Sequence, residues 1–189
     1  MNPQARNRFS PEYAILGFLY RSPDHGYDLH KRISSELGTI WHASQSQTYN
    51  ILNRLEAKGF IEATYIDQEK LPARQLLDIT ESGRQRFEEW LDKPTNNSVH
   101  AIRVEFITRL YFLKLYFPGK VKQAIDMQLE VVKAGLDQLN LHRENIPEEQ
   151  AIEQLALDLR IKLLASLLDW LNECYQLVEN RPDVGVGHA

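Results

Sequence analysis

Along most of the chain apolar residues recur at helical spacing, and one stretch near the middle of the first half breaks that rhythm. From Ser10-Pro11-Glu12 onward, Tyr13, Ile15, Leu16, Phe18, Leu19 and Tyr20 crowd one short segment. A serine cap, a proline at the first helical position and an acid in the first turn mark a helix start. The segment is too apolar for a surface helix, so it reads as a core helix that stops before Ser22-Pro23. A second helix opens at His25-Gly26-Tyr27-Asp28 and runs to about Leu37, with Leu29, Ile33 and Leu37 on its inner row and Gly38 at its end. A third helix lies between Ser44 and Gly59, with Thr48, Ile51, Leu52 and Leu55 on its apolar face. Ser44 and Gln47 have the spacing of a capping box, and Gly59 suits the left-handed position past a helix end. Then the period changes. Residues 60–66 and 74–80 are rich in β-branched, aromatic and aliphatic residues and flank a polar loop containing Pro72, which predicts a hairpin with a long turn. Thr80 caps a fourth helix carrying Phe87, Trp90 and Leu91.

The stretch Lys93-Pro94-Thr95-Asn96-Asn97-Ser98 is the best domain boundary. It divides a winged helix domain (1–92) from a helical domain (99–180) by a linker (93–98), with residues 181–189 read as a disordered tail. In the second half a stripe of Ile102, Phe106, Leu110, Leu113 and Phe117 ends at Pro118-Gly119. Val121, Ile125, Leu129, Val132, Leu136 and Leu139 form one amphipathic helix, broken before Ile146-Pro147. Glu148 and Glu149 are expected to begin the last helix. That helix has two apolar rows, one through Ile152, Leu155, Leu159, Leu163, Leu167 and Trp170, the other through Ile161, Leu164, Leu168 and Tyr175. A helix apolar on two sides has to be covered on two sides. A second copy of the chain is the simplest cover, which makes Leu159, Leu163, Leu167 and Trp170 the expected dimer contacts. The alternative is a monomer in which the N-terminal domain covers them. The fold class is mostly α with a small β-hairpin wing: an N-terminal winged helix-turn-helix followed by a C-terminal antiparallel helical domain.

The polar face of the third helix changes the picture from fold to chemistry. Ser46, Gln47, Asn50 and Asn53 present hydroxyl and amide groups, and no acid appears before Glu56. Amides bond base edges bidentately, while hydroxyls and cations bond phosphates. Ser46, Gln47, Asn50 and Asn53 are therefore assigned to base edges, and Ser44, Arg54 and Lys58 to phosphates. Lys70 and Arg74 are the wing cations. Arg6 and Arg8 fit either a phosphate contact or a solvated tail. The same polar face also suits an ordinary solvated helix, and this helix alone does not separate the two readings.

Four segments, in order, resemble one family. They are Ile-Leu-Gly-Phe-Leu at 15–19, His-Gly-Tyr-Asp-Leu at 25–29, Gln-Thr-Tyr with Leu-Asn-Arg-Leu-Glu-Ala-Lys-Gly-Phe-Ile within 47–61, and Leu-Asp-Ile-Thr-Glu-Ser-Gly-Arg at 77–84. Together they are similar to the PadR transcriptional regulators. The resemblance covers the first half by motif and the second half by length and helical character. It departs at Asn50 and near Leu77, which bears on operator sequence and wing packing. It implies that Tyr49 touches the DNA backbone, that Arg74 is the better wing cation and that the Gly26-Tyr27 pair packs its turn. It also implies a ligand pocket bordered by Trp41, Phe106 and Tyr111, residues that core packing accounts for equally well.

Charge tempers this reading. The net charge is −4, and residues 1–92 carry 11 Lys and Arg against 13 Asp and Glu. A non-specific nucleic-acid binder has a basic excess, so only a locally positive, sequence-specific surface fits. No segment is long and apolar enough to span a membrane, no signal core opens the chain, and the lone Cys174 cannot form an internal disulfide. A cytoplasmic protein is expected. No His, Cys or carboxylate spacing suggests a metal site, and no nucleophile motif or phosphate loop is present, so neither enzyme nor cofactor is expected. The expected function is a dimeric transcriptional repressor on an inverted-repeat operator in double-stranded DNA; the resemblance implies its release by a small-molecule effector or another signal. The rivals are a winged-helix protein-interaction module that binds no DNA, favoured by the acidic balance, and a helical protein that sequesters a small molecule.

Overall fold

The computed structural model describes residues 11–40, 42–68, 71–147 and 149–179, with the backbone alone at 66–68, 71–74 and 179. Two compact units make it up: residues 11–93 with Ile107–Phe112, and Pro94–Phe106 with residues 113–179.

In the first unit α1 (Glu12–Leu19) is the centre, with Ala14, Ile15, Leu16, Phe18 and Leu19 out of water. Its apolar residues leave no solvated side, so α2 (Gly26–Glu36), α3 (Gln45–Ala57) and α4 (Glu81–Leu91) all pack on it. Thr80 caps α4 by accepting from the Gly83 amide at 3.1 Å. The wing is the antiparallel pair β2 (Ile61–Gln68) and β3 (Leu71–Ile79), with Ile61 opposite Ile79 and Gln68 opposite Leu71. The strands are longer than the sequence suggests. Residues 67–68 and 71–73, read as loop, extend the hairpin after a shift of register between Ile66 and Gln68. A third strand, β1 (Asp24–His25), pairs with β3 and gives the order β1-β3-β2. Two residues carry no period, so no sequence pattern announces this strand. It is reinforced by the His25 imidazole, whose Nδ1 donates to the Gln75 carbonyl at 2.9 Å.

Phe112 closes the core of this unit. Its ring lies edge-on to Phe18 and Phe87, at centroid distances of 5.3 and 5.5 Å. It sits against Gly17, where a Cβ would overlap the ring. Arg109, fully buried, donates from Nε to the Trp90 carbonyl at 3.0 Å and lies over the Trp90 ring. A cation near the C-terminal end of α4 suits its dipole.

The second unit contains α5 (Val99–Ala101), a π turn (Ile102–Phe106), the C-terminal part of α6 (Ile107–Tyr116), a 3-10 turn (Pro118–Lys120), α7 (Val121–Glu144) and α8 (Ala151–Glu179). The π turn inserts a residue that a 3.6-residue pattern cannot reveal. The last helix begins at Ala151 rather than at Glu149, and Glu148 lies outside the described residues; the Gln150 amide donates to the Pro147 carbonyl at 3.1 Å. α7 and α8 are antiparallel: Lys122 lies over the Tyr175 ring, and Arg143 bonds Asp158 at 2.8 Å. Ile125 and Val132 of α7 are fully buried, as are Leu157, Leu164 and Leu171 of α8 to within a few per cent. The stretch read as a linker is held down. Gln128, wholly buried, accepts from the Thr95 amide and donates to the Thr95 carbonyl, both at 2.8 Å. Asn97 lies against Gly135, where a larger residue would collide with its side chain.

Replacing Gln128 by Ala removes two buried hydrogen bonds to the Thr95 backbone. We expect a loss of about 1–3 kcal/mol in urea unfolding. Gln123→Ala, an exposed change on the same helix, should stay within about 0.5 kcal/mol. Equal effects of the two would show that the double hydrogen bond contributes nothing.

Candidate nucleic-acid interface

The N-terminus of α3 is built as its sequence suggests. Ser44 Oγ accepts from the Gln47 amide at 3.2 Å, and Gln47 Oε1 accepts from the Ser44 amide at 2.9 Å. At the other end Gly59 has φ 71°, the left-handed conformation that glycine adopts without strain. Thr48 locks α3 to α2. Its hydroxyl donates to the Ser44 carbonyl at 3.2 Å and therefore accepts from His30 Nδ1 at 3.1 Å. Gly26 allows the two helices to approach, since a Cβ there would press on Tyr49 and Leu52 at 3.2 Å.

Ser46, Asn50 and Asn53 form the middle of the exposed face, and their side chains make no hydrogen bond among the described residues. Ser44 and Gln47 are exposed, but the cap occupies the Ser44 hydroxyl and the Gln47 carbonyl oxygen. The Ser44 O–H can still donate to an outside partner, but Gln47 has only its amide nitrogen left, so bidentate contact of Gln47 with a base requires the cap to open. Tyr49 lies on one flank of this face, half over Gly26. Arg54 and Lys58 lie on the other flank.

That second flank carries a group the sequence does not single out. Glu12, in the first turn of α1, has a side chain only 5% exposed. Arg54 Nε donates to it at 2.6 Å, Arg86 Nη2 donates at 3.2 Å, and Lys58 Nζ lies 3.6 Å away. Burial pushes the carboxyl upward. The hydrogen bond from Arg54 and the charges of Arg54, Lys58 and Arg86 outweigh burial and hold it below the usual glutamate range. Three cations around one carboxylate leave a local positive excess within an acidic chain. Arg86 also lies over the rings of Tyr13 and Phe60. The clue to Glu12 was an acid in an otherwise apolar helix, readable equally as a complement to the helix dipole.

Beside Tyr49 opens a cleft of about 390 Å³ lined by His25, Gly26, Tyr27, Asp28, Tyr49 and Gln75. Gly26 packs as expected, but Tyr27 does not: it is 60% exposed. The backbone geometry that lets glycine 26 nestle against α3 turns its neighbour outward. Lys70 of the wing lies outside the described residues. Arg74 is paired with Ile66 in the sheet, and its side chain also lies outside them.

The aromatic residues assigned to a ligand pocket are not placed alike. Trp41 lies outside the described residues. Phe106 is buried in the helical unit, whereas Tyr111 packs in the winged unit edge-on to Phe18 and Phe112, with its hydroxyl on Glu36. On α8, Ile152, Leu155, Leu159 and Leu163 are exposed by 79, 65, 58 and 41%. Leu167 and Trp170 continue their row half-buried. No group of His, Cys, Asp and Glu among the described residues can hold a metal ion, and none of the described helices is long and apolar enough to cross a membrane. The Cys174 thiol is pushed up by burial and by Glu173, away from a reactive thiolate.

Two helices joined by a short connection, a capped third helix with an exposed amide face and a paired-strand wing define a winged helix-turn-helix protein. Residues 15–89 match the transcriptional regulator PadR-like family. The negative transcriptional regulator PadR of Bacillus subtilis is 33% identical over 129 residues, which span 68% of this chain and 70% of that protein. The probable transcriptional regulator Rv1176c of Mycobacterium tuberculosis is 25% identical over 184 residues, 89% of this chain and 97% of that one. The crystal structure of B. subtilis PadR in complex with operator DNA is 27% identical, covers 88% of this chain and 98% of its own, and has a TM-score of 0.43. The chain belongs to the PadR-like family of transcriptional regulators. Membership favours the regulator over the DNA-independent interaction module.

The lowered Glu12 value has a consequence for stability. Its ion pairs contribute fully above the ordinary glutamate value, about pH 4.3, and are lost as the pH falls through the lower folded value. Wild type should exceed Glu12→Gln by about 1–2 kcal/mol in urea unfolding at pH 7. The gap should narrow steadily below about pH 4. A gap that is the same at pH 7 and pH 3 would show that the cations do not stabilise this carboxylate.

Proposed function

We propose that the protein is a dimeric, sequence-specific DNA-binding repressor of the cytoplasm that recognises an inverted-repeat operator. The observation that carries the reading is the exposed, internally unbonded row Ser46–Asn50–Asn53 in the middle of a capped α3, with Tyr49 on one side and Arg54 and Lys58 on the other. Ser46, Asn50 and Asn53 meet base edges, with the Gln47 amide nitrogen at the groove mouth. Ser44, Tyr49, Arg54 and Lys58 hold phosphates, and Lys70 and Arg74 extend from the wing. The negative regulation named for the B. subtilis relative supports repression. A small-molecule effector that releases the operator completes the proposal.

The test is a mobility shift with DNA from upstream of the protein's own coding region and with a random library, in excess non-specific competitor. Wild type should select a site, and Asn50→Ala with Arg54→Ala should abolish the shift. A wild-type protein that enriches no sequence from the library would refute DNA recognition.

Dimerisation rests on the stripe Ile152, Leu155, Leu159 and Leu163, four large aliphatic residues that water would otherwise cover. Leu167 and Trp170 continue it. Two half-sites should lie about 34 Å apart, one helical turn of DNA. Leu159→Glu with Leu163→Glu should halve the mass seen by light scattering and weaken operator binding at least about 100-fold, since each half-site is then bound alone. A double variant that stays dimeric would move the interface elsewhere.

A further inference from the structure

We propose that Glu12 is a positioning residue for DNA binding: it fixes Arg54 and Lys58 along one flank of α3 so that the free end of the Arg54 guanidinium meets a backbone phosphate beside the bases read by that helix. The inference rests on the DNA-binding reading above and adds to it a residue from a different element, on the far side of the recognition helix from Tyr49.

The geometry gives the reason. Glu12 engages Arg54 through Nε alone, at 2.6 Å. Neither Nη group of Arg54 makes a hydrogen bond among the described residues, and the side chain is about half exposed, as is Lys58. The guanidinium is thus gripped on one edge and open on the other, the fork that matches a phosphate. A surface arginine without such a grip has many rotamers to lose on binding. Here that freedom is already lost in the unbound protein, which is preorganisation. The grip itself is stiff. Glu12 sits in the first turn of a buried helix, and Arg86 holds its second oxygen at 3.2 Å from α4. A buried carboxylate is not needed for stability as such, because an apolar residue of similar volume serves a core as well or better. The cluster still carries net positive charge, three cations against one carboxylate, so Glu12 orders the flank without turning it against DNA.

Simple electrostatics predicts the opposite result, and this makes the idea testable. Removing a negative charge from a DNA-binding surface should tighten binding. Loss of positioning should weaken it. The experiment is a double-mutant cycle on the operator selected by wild type, read by fluorescence anisotropy at a salt concentration low enough for Arg54→Ala to bind measurably. Glu12→Gln should weaken binding about tenfold in the wild-type background and less than twofold when Arg54→Ala is already present. Glu12→Asp, which keeps the charge but draws the carboxylate back by one methylene, should weaken binding about threefold with the same dependence on Arg54, and it carries the test if Glu12→Gln is not folded by circular dichroism. Unchanged or tighter binding by the Glu12 variants, or equal weakening in both backgrounds, would overturn the proposal. A wild type that selects no DNA would overturn the DNA-binding reading and this inference together, whereas a wild type that binds beside Glu12 variants that bind as well overturns this inference alone.

Discussion

Everything in the winged unit is measured from a single buried helix. α1 has eight residues and almost no surface of its own. Three helices and β3 take their positions from it, so a change of volume in α1 is felt by all of them. Gly17 shows how tight the arrangement is. The absence of a side chain at one position makes room for the Phe112 ring, and that ring in turn ties Phe18 to Phe87. The only charge on α1, Glu12, is buried in its first turn and reaches α3. Core and interface are therefore joined through one side chain.

The third helix, α3, is held from three sides by different kinds of contact. Ile51, Leu52 and Leu55 bury its apolar face. The Thr48–His30 hydrogen bond and the notch at Gly26 set its distance from α2. The Glu12 cluster fixes its far flank. The first two lie on the inner half of the helix and the third on its flank, and the outer row of Ser46, Asn50 and Asn53 is left to the solvent. The hydrogen-bonded linker of the helical unit follows the same economy: a buried amide side chain does for Thr95 what a neighbouring strand would do.

Much of this was legible in the chain. The caps at Ser44 and Thr80 and the left-handed Gly59 follow from local chemistry, and local chemistry acts wherever the residues occur. The apolar row of α3 and the two-sided pattern of α8 are periodic, hence readable. What could not be read depends on residues far apart in sequence. Glu12 meets Arg54 and Arg86 across 42 and 74 positions, and nothing in its immediate neighbours announces the meeting. β1 is too short to have a pattern, and the outward turn of Tyr27 follows from how closely Gly26 approaches α3. In the site itself, Gln47 illustrates a conflict that sequence alone cannot arbitrate: the same amide fits a base edge and a helix cap, and in the unbound protein the cap has it.

The bare outer row of α3 has an evolutionary meaning. Ser46, Asn50 and Asn53 support nothing else among the described residues, so substitutions there cost the fold little, within about 0.5 kcal/mol for ordinary exposed positions. Arg54, one position away, is bound into the scaffold and is not free to vary in the same way. On the DNA-reading role proposed above, a descendant of this protein can therefore exchange its vocabulary of contacts residue by residue while its frame stays intact. Divergence of recognition within such a lineage then requires no compensating repair of the core.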